Sequence, residues 1–189
     1  MKLLSALLLT ILGSICGPVE GALIMDVPIL GGTMTVASQG TVGVQYLGSD
    51  AAYFSSLYFD APLLDSPTAL FNKSSRPGAT LDLGLFSAGT TLTFSLVVLN
   101  TGNIFFTGDG LLNPDGLAHA RATTRFDENL NVYVTNVGFE DLLGGGDRDY
   151  NDFSFRLTNV FDPPTVPEPA TLALLGLGLL ALGFSRRKR

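Results

Sequence analysis

The densest group of reactive side chains in this 189-residue chain is the stretch Gly138 to Asp152, GFEDLLGGGDRDYND. Glu140, Asp141, Asp147, Asp149, Asn151 and Asp152 fall within 13 residues, interrupted by Gly144, Gly145 and Gly146. Glycine opens backbone angles closed to other residues, so the chain can fold tightly enough to turn several oxygens toward one centre. Asp147, Asp149 and Asn151 are spaced i, i+2, i+4, and a hard cation such as calcium takes 6–8 oxygen ligands. The expectation is a calcium site with Asp147, Asp149, Asn151 and Asp152 as first ligands, Glu140 and Asp141 next, and Asp115 joining from a neighbouring loop. The competing expectation is a metal-free corner, because Asp and Asn also bond to nearby backbone amides and stabilise tight turns. In that case Arg148 and Arg156 would neutralise two of the carboxylates.

The Asp-x-Asp-x-Asn start matches an EF-hand, but position six is Asp152 where that loop needs Gly, and position twelve is Thr158 where it needs Glu. No helical pattern flanks it. Catalytic chemistry finds less support still. Carboxylates crowded into one turn repel one another unless a cation sits between them. His119 is the single histidine and reads as a surface or turn residue. Zinc needs three or four His, Cys or carboxylate ligands, no Gly-x-Ser-x-Gly elbow is present, and the triple glycine is followed by Asp rather than by a phosphate-binding Lys. No catalytic residue is assigned, and the chain is expected not to be an enzyme. A small hydrolase or lyase survives only through the carboxylates themselves.

The elements that must hold this loop are strands. Val42, Val44 and Tyr46 alternate with Thr41, Gly43 and Gln45; Leu92, Phe94, Leu96 and Val98 share one face of Thr90–Leu99; Phe153, Phe155 and Leu157 alternate with Ser154, Arg156 and Thr158. Tyr53–Phe59 is another β-rich run, and in Asn131–Val137 the valines Val132 and Val134 oppose Tyr133 and Thr135. Turn-forming stretches such as Arg76-Pro77-Gly78 and Asn113-Pro114-Asp115-Gly116 separate the runs. This pattern predicts an all-β fold, an antiparallel β-sandwich of jelly-roll type, over residues 22–161. Between residues 22 and 165 there are 6 Lys/Arg and 15 Asp/Glu, a net charge of −9. Such a surface repels nucleic acid and favours cations.

Both ends read as transport signals. Met1-Lys2 followed by the apolar Leu3–Leu12, with small residues before Ala22, predicts a signal peptide over residues 1–21 that is cleaved by signal peptidase. The single cysteine, Cys16, leaves with it, so no disulfide is available afterwards. At the other end, residues 162–169 form a Pro-rich linker carrying Val166, Pro167, Glu168 and Pro169. The charge-free Ala170–Phe184 follows, then Arg186, Arg187, Lys188 and Arg189. As a helix at ~1.5 Å per residue the apolar run spans roughly 22 Å, enough with its shoulders for a thin single span across the inner membrane. Basic residues stay cytoplasmic, which puts the β domain on the far side.

This tail resembles the PEP-CTERM sorting signal of Gram-negative exported proteins. The resemblance implies recognition of the Pro-Glu-Pro region by an exosortase, removal of the tail, and a final place at the cell surface or outside the cell. Residues 112–155 resemble a domain of unknown function found in exported bacterial proteins, on the strength of the GFEDLLGGGDRDYND stretch and of Leu112–His119 before it. Two functions follow as expectations: a structural or adhesive surface or matrix protein, calcium-stabilised, or a calcium-dependent carbohydrate-binding module acting on extracellular polysaccharide. The absence of Trp weakens the second.

Overall fold

The computed structural model describes residues 26, 28–60 and 68–163, and among them it is all-β. The signal peptide, the sorting tetrapeptide, the apolar span and the basic tail lie outside the described residues. Twelve strands run in chain order: β1 (Pro28–Leu30), β2 (Met34–Val36), β3 (Gly40–Gly48), β4 (Ser55–Asp60), β5 (Thr68–Asn72), β6 (Thr80–Phe86), β7 (Thr91–Val98), β8 (Asn103–Phe106), β9 (Ala120–Asp127), β10 (Val132–Phe139), β11 (Phe153–Thr158) and β12 (Val160–Phe161). A 3₁₀ turn at Gly110–Leu112 is the one helical segment among the described residues, none of which forms a helix able to cross a membrane.

The first sheet has the order β1-β9-β10-β11-β3-β6, and the second the order β12-β2-β7-β4-β5, with β8 also paired to β7. All pairings are antiparallel. Period-2 alternation decides which face of each strand enters the core. Val42, Val44 and Tyr46 of β3, and Phe153, Phe155 and Leu157 of β11, meet Leu92, Phe94, Leu96 and Val98 of β7 across the gap. Phe94 sits 5.2 Å from Phe155 and 5.3 Å from Phe59 between ring centroids, and Tyr46 lies 5.0 Å from Phe153. These separations fall within the range favoured by offset and tilted aromatic pairs. On β10 the inward face is Thr135, Val137 and Phe139, so the alternation seen in sequence holds with the Thr135 side inward.

A polar seam joins the sheets at the C-terminal edge. The Thr124 and Thr135 hydroxyls are 2.9 Å apart, Thr135 Oγ1 donates to the Val160 carbonyl, and the Asp162 N–H donates to Thr124 Oγ1. Asn159, with a left-handed φ of 62°, turns the chain from β11 in one sheet to β12 in the other. Its side chain accepts from Ser38 and donates to the Ser38 and Thr41 carbonyls. Asp162 is 2% exposed, its Oδ1 accepts the Thr33 N–H at 3.0 Å, and its Oδ2 has no partner. A Cβ on Gly32 would lie 1.6 Å from that oxygen, so the carboxylate packs directly on glycine backbone. Asp162, which stands at the head of the linker placed at residues 162–169 by sequence, packs with the domain: its buried carboxylate accepts the Thr33 amide and rests on the Gly32 backbone.

Burial pushes the Asp162 carboxyl up to about 6, against the opposing pull of the Thr33 N–H. The folded state thus prefers neutral Asp162. Its contribution is full below the unfolded value near 3.8, and it is lost as pH rises through about 6. The shift corresponds to on the order of 3 kcal/mol. The expected outcome is a melting temperature that falls between pH 5 and pH 7.5, with Asp162→Asn flattening that slope and equalling or exceeding wild type at pH 7.5. Thermal melts of both proteins across this range check it.

Candidate functional site

The acidic glycine loop joins β10 to β11, which pair from Phe139↔Phe153 back to Val134↔Thr158. Both anchors are fully buried phenylalanines, so the loop leaves and re-enters the sandwich at fixed points. Between them the backbone takes left-handed angles at Gly144, Gly145 and Gly146 and also at Arg148 (φ 64°) and Tyr150 (φ 58°). Left-handed non-glycine residues carry strain of order 1–3 kcal/mol each and persist only where the surroundings impose them. Short-range bonds impose part of it. The Asn151 N–H and side-chain amide donate to the Asp149 carboxylate, and the Asp149 N–H reaches Asp147 Oδ1 at 3.5 Å.

Glu140 sits at the centre with 0% exposure. Its Oε1 accepts the Tyr150 N–H, while Oε2 has no partner among the described residues. A Cβ on Gly146 would lie 2.4 Å from Oε2, so the loop crosses this carboxylate at a distance that glycine alone permits. Carboxylate oxygens of Glu140, Asp147 and Asp149 lie within 4.8 Å of one another. Two ligands of one calcium at ~2.4 Å each are at most ~4.8 Å apart, a limit these three oxygens meet. Burial raises the Glu140 pKa, and the nearby Asp152 and Asp147 charges raise it further.

Asp141 and Asp152 form a second acidic pair in the same cleft, of about 350 Å³, which Tyr53, Glu140, Gly146 and Asp147 also line. Asp152 Oδ2 accepts the Asp141 N–H, and Asp141 Oδ2 lies 3.5 Å from Ser55 Oγ. Burial, then the Asp152 charge, push the Asp141 carboxyl up to about 6. Of the six residues singled out in sequence, the structure gathers Glu140, Asp147 and Asp149, sets Asp141 and Asp152 beside them, and engages the Asn151 amide with Asp149. Arg156 does not neutralise the loop; its Nε donates to Asn136 Oδ1 at 2.8 Å on the outer face of the first sheet.

His119 departs from expectation. It is fully buried and stacked on Phe105 at 3.8 Å between centroids. Nδ1 lies 3.1 Å from the Glu140 carbonyl and Nε2 2.9 Å from Asp115 Oδ2, so both ring nitrogens face acceptors. Asp115 also accepts the Gly144 N–H at 2.7 Å. It joins the loop from its neighbour as sequence suggests, but as a strut to the glycines. Burial alone would raise its pKa, yet hydrogen bonds from Gly144, His119 and Leu117 bring it down to about 2. The Asp115–His119 spacing was visible in sequence; the burial was not, because Phe105 comes from a strand with no long apolar run.

Residues 76–159 match the family model of a domain of unknown function, DUF4114, from the strand before β7 through the acidic loop to the end of β11. Residues 165–189 match the PEP-CTERM protein-sorting motif. The chain carries an exosortase sorting signal. That places it among exported, sorted proteins of Gram-negative bacteria, and the first match extends the sequence resemblance upstream from residue 112 to residue 76. No curated protein matches the chain. Among solved structures it is similar to the C-terminal domain of a Burkholderia cenocepacia lectin, at 20% identity, TM-score 0.45, and coverage of 70% of this chain and 97% of the other. It is also similar to a Chromobacterium violaceum lectin in complex with alpha-methyl-fucoside, at 18% identity, TM-score 0.45, and coverage of 69% and 96%. A third is the Ralstonia solanacearum high-affinity mannose-binding lectin, at 17% identity, TM-score 0.42, and coverage of 69% and 96%.

Removing the Asp115 carboxylate leaves the buried His119 Nε2 and the Gly144 N–H without an acceptor. The His119 nitrogen is buried and its loss of a partner costs roughly 1–3 kcal/mol, whereas the exposed Gly144 amide can turn to water. Asp115→Ala is expected to lower the denaturant midpoint accordingly, and faster amide exchange at Gly144 and Gly145 than in wild type would trace the loss to the loop. Equilibrium unfolding with hydrogen exchange measures both.

Proposed function

We propose that this protein is a cell-surface or extracellular-matrix component with a non-enzymatic, structural or adhesive β domain whose acidic loop is closed by calcium. The sorting motif supports the destination: signal peptidase and an exosortase handle the two ends, with Val166–Pro169 as the recognised segment and Arg186–Arg189 holding the precursor at the inner membrane. The observation that carries the calcium reading is Glu140 Oε2, a carboxylate oxygen with no exposure and no partner, directed at the underside of Gly146 beside Asp147 and Asp149. An ionised carboxylate in that position is costly unless a cation shares it. Three carboxylates around one centre match a doubly charged oxygen-seeking ion. Asp152, Asp141 and Asn151 stand close enough in the chain to complete or to flank the shell. A loop tightened in this way would protect the strand junction of a domain that has no disulfide to rely on.

Calcium at ~100 times its dissociation constant adds about 2.7 kcal/mol of stability, which for a domain of this size is a rise of roughly 8 °C in melting temperature. Glu140→Gln is expected to abolish that rise and, in chelator at pH 7.5, to melt no lower than wild type, since the buried charge is gone. Asp147→Ala is expected to abolish the rise while leaving the burial of Glu140 unrelieved. A wild-type melting temperature identical in calcium and in chelator would remove the reading.

A further inference from the structure

The solvent face of the first sheet carries a second, unassigned surface. Strand register places Thr123 of β9, Asn136 of β10, Arg156 of β11, Gln45 of β3 and Thr80 of β6 side by side in one row across five strands. On β9, β10, β11 and β3 their neighbours along the strand are buried, so the pleat turns this row outward, and Thr80 of β6 continues it at the sheet edge. The rows on either side are low. One runs Arg121–Gly138–Ser154–Gly48, and the other Arg125–Val134–Thr158–Gly43, ending at the exposed Asp82 of β6. Gly138 lies against the Tyr150 carbonyl and Gly43 against Thr158 Oγ1, at distances that leave no room for a Cβ. A ridge of amide, guanidinium and hydroxyl groups thus stands between two shallow clefts. One, of about 220 Å³, is bordered by Gly43, Gln45, Thr80, Leu130, Arg156 and Thr158. The other, of about 180 Å³, is bordered by Arg121, Thr123, Asn136, Gly138, Tyr150 and Ser154.

Three arginines against Asp82 and Asp127 leave this face net positive on an acidic molecule. Of the six Lys and Arg between residues 22 and 165, three (Arg121, Arg125 and Arg156) lie on it. Arg125 is engaged by Asp127 at 3.7 Å. Arg121 is held in place: one Nη donates to the Asp149 carbonyl, and the guanidinium lies 4.7 Å from the Tyr150 ring centroid. Arg156 is tethered through Nε to Asn136, and no other hydrogen bond from its guanidinium reaches a described residue. A guanidinium fixed by one nitrogen, with its two terminal nitrogens open over a cleft, is prepared for bidentate pairing with a carboxylate.

We propose that this face binds an acidic polysaccharide, with Arg156 and Arg121 taking uronate carboxylates and Asn136, Gln45, Thr123 and Thr80 pairing with sugar hydroxyls. The chemistry of the row selects that ligand. Neutral amides and hydroxyls outnumber the cations, which suits a polymer whose charges are spaced by hydroxyl-bearing rings. A nucleic acid would call for more phosphate contacts and for aromatic stacking platforms, and an extended peptide docks on a sheet edge through its backbone, not on a side-chain face. The inference rests on the exported reading for access to such a polymer, and it stands without the calcium site.

Affinity electrophoresis of the exported protein through gels containing polygalacturonate or neutral dextran, run in chelator, tests it. Retardation by polygalacturonate and not by dextran is expected. Arg156→Gln and Arg121→Gln each weaken it about tenfold, Arg156→Lys weakens it less, and Arg76→Gln leaves it unchanged despite the same loss of charge. Matched melting curves establish that the variants fold. The proposal is overturned by absence of retardation, by an equal loss in Arg76→Gln, or by equal retardation in dextran. Stronger retardation by polyglutamate would reassign the face to acidic peptides. Binding that appears only with calcium and ignores Arg156→Gln would mean ion bridging through the acidic loop.

Discussion

A carboxylate sealed under a glycine backbone dictates the architecture around it. Glu140 has no exposure, one oxygen bound to the Tyr150 N–H and the other bound to nothing. Its position forces Gly146 to be glycine, and the Tyr150 amide it draws in belongs to one of the two left-handed non-glycine residues of the loop. The strained backbone and the buried charge are therefore two sides of one arrangement. Backbone strain of this type gathers where the surroundings over-determine the chain and where a ligand shares the load. Asp147 and Asp149, brought up beside the Glu140 carboxylate by that strained path, supply further negative charge at the point where the fold already has too much of it.

The sandwich can hold this arrangement because both ends of the loop are nailed to its core. Phe139 and Phe153 face each other across β10 and β11, and Phe155 follows into the aromatic cluster with Phe94 and Phe139. From the outside, His119 and Asp115 act as a brace. The imidazole spans from the Glu140 carbonyl to Asp115, and Asp115 reaches on to the Gly144 amide. Because the ring is stacked on Phe105 of β8 and the chain turns into β9 at Ala120, the brace ties the loop to both sheets. With a single cysteine in the chain and none among the described residues, no disulfide ties the loop to the sheets, and polar contacts supply the long-range ties. The threonine seam ending at Asp162 does the same work at the opposite edge.

Sequence periodicity exposed the strands that carry large apolar residues on alternate positions, β3, β4, β7 and β11, and it exposed the acidic loop through composition alone. It passed over β9, whose inward face is Ala120, Ala122 and Thr124, because small residues and a buried hydroxyl give no apolar beat. It passed over β1, β2, β8 and β12 because two to four residues are too few to show a period. The rank of Glu140 was also hidden. Position in the chain put Asp147, Asp149 and Asn151 first, whereas burial, which depends on how β10 ends, makes Glu140 the residue around which the others collect. His119 was misplaced for a related reason: a polar residue next to a turn looks exposed until an aromatic from another strand covers it. The Thr123–Asn136–Arg156–Gln45 row is a property of register, and register across β9, β10, β11 and β3 is set by core packing that no single segment reveals.

The loop also has two sides with different chemistry, and one backbone connects them. Asp149 turns its carboxylate toward Glu140 and Asp147, while its carbonyl accepts from Arg121 on the outer face of the first sheet. Tyr150 gives its N–H to Glu140 and its ring to the Arg121 guanidinium. Any event that fixes the carboxylate side, whether an ion or protonation, therefore fixes the peptide unit that holds Arg121 in place. Arg156 lies two strands away from Arg121, is anchored by Asn136 alone, and has no such link to the loop. Arg121 and Arg156 thus differ in support: the first is held by the backbone of the acidic loop and the Tyr150 ring, the second by Asn136 on the sheet.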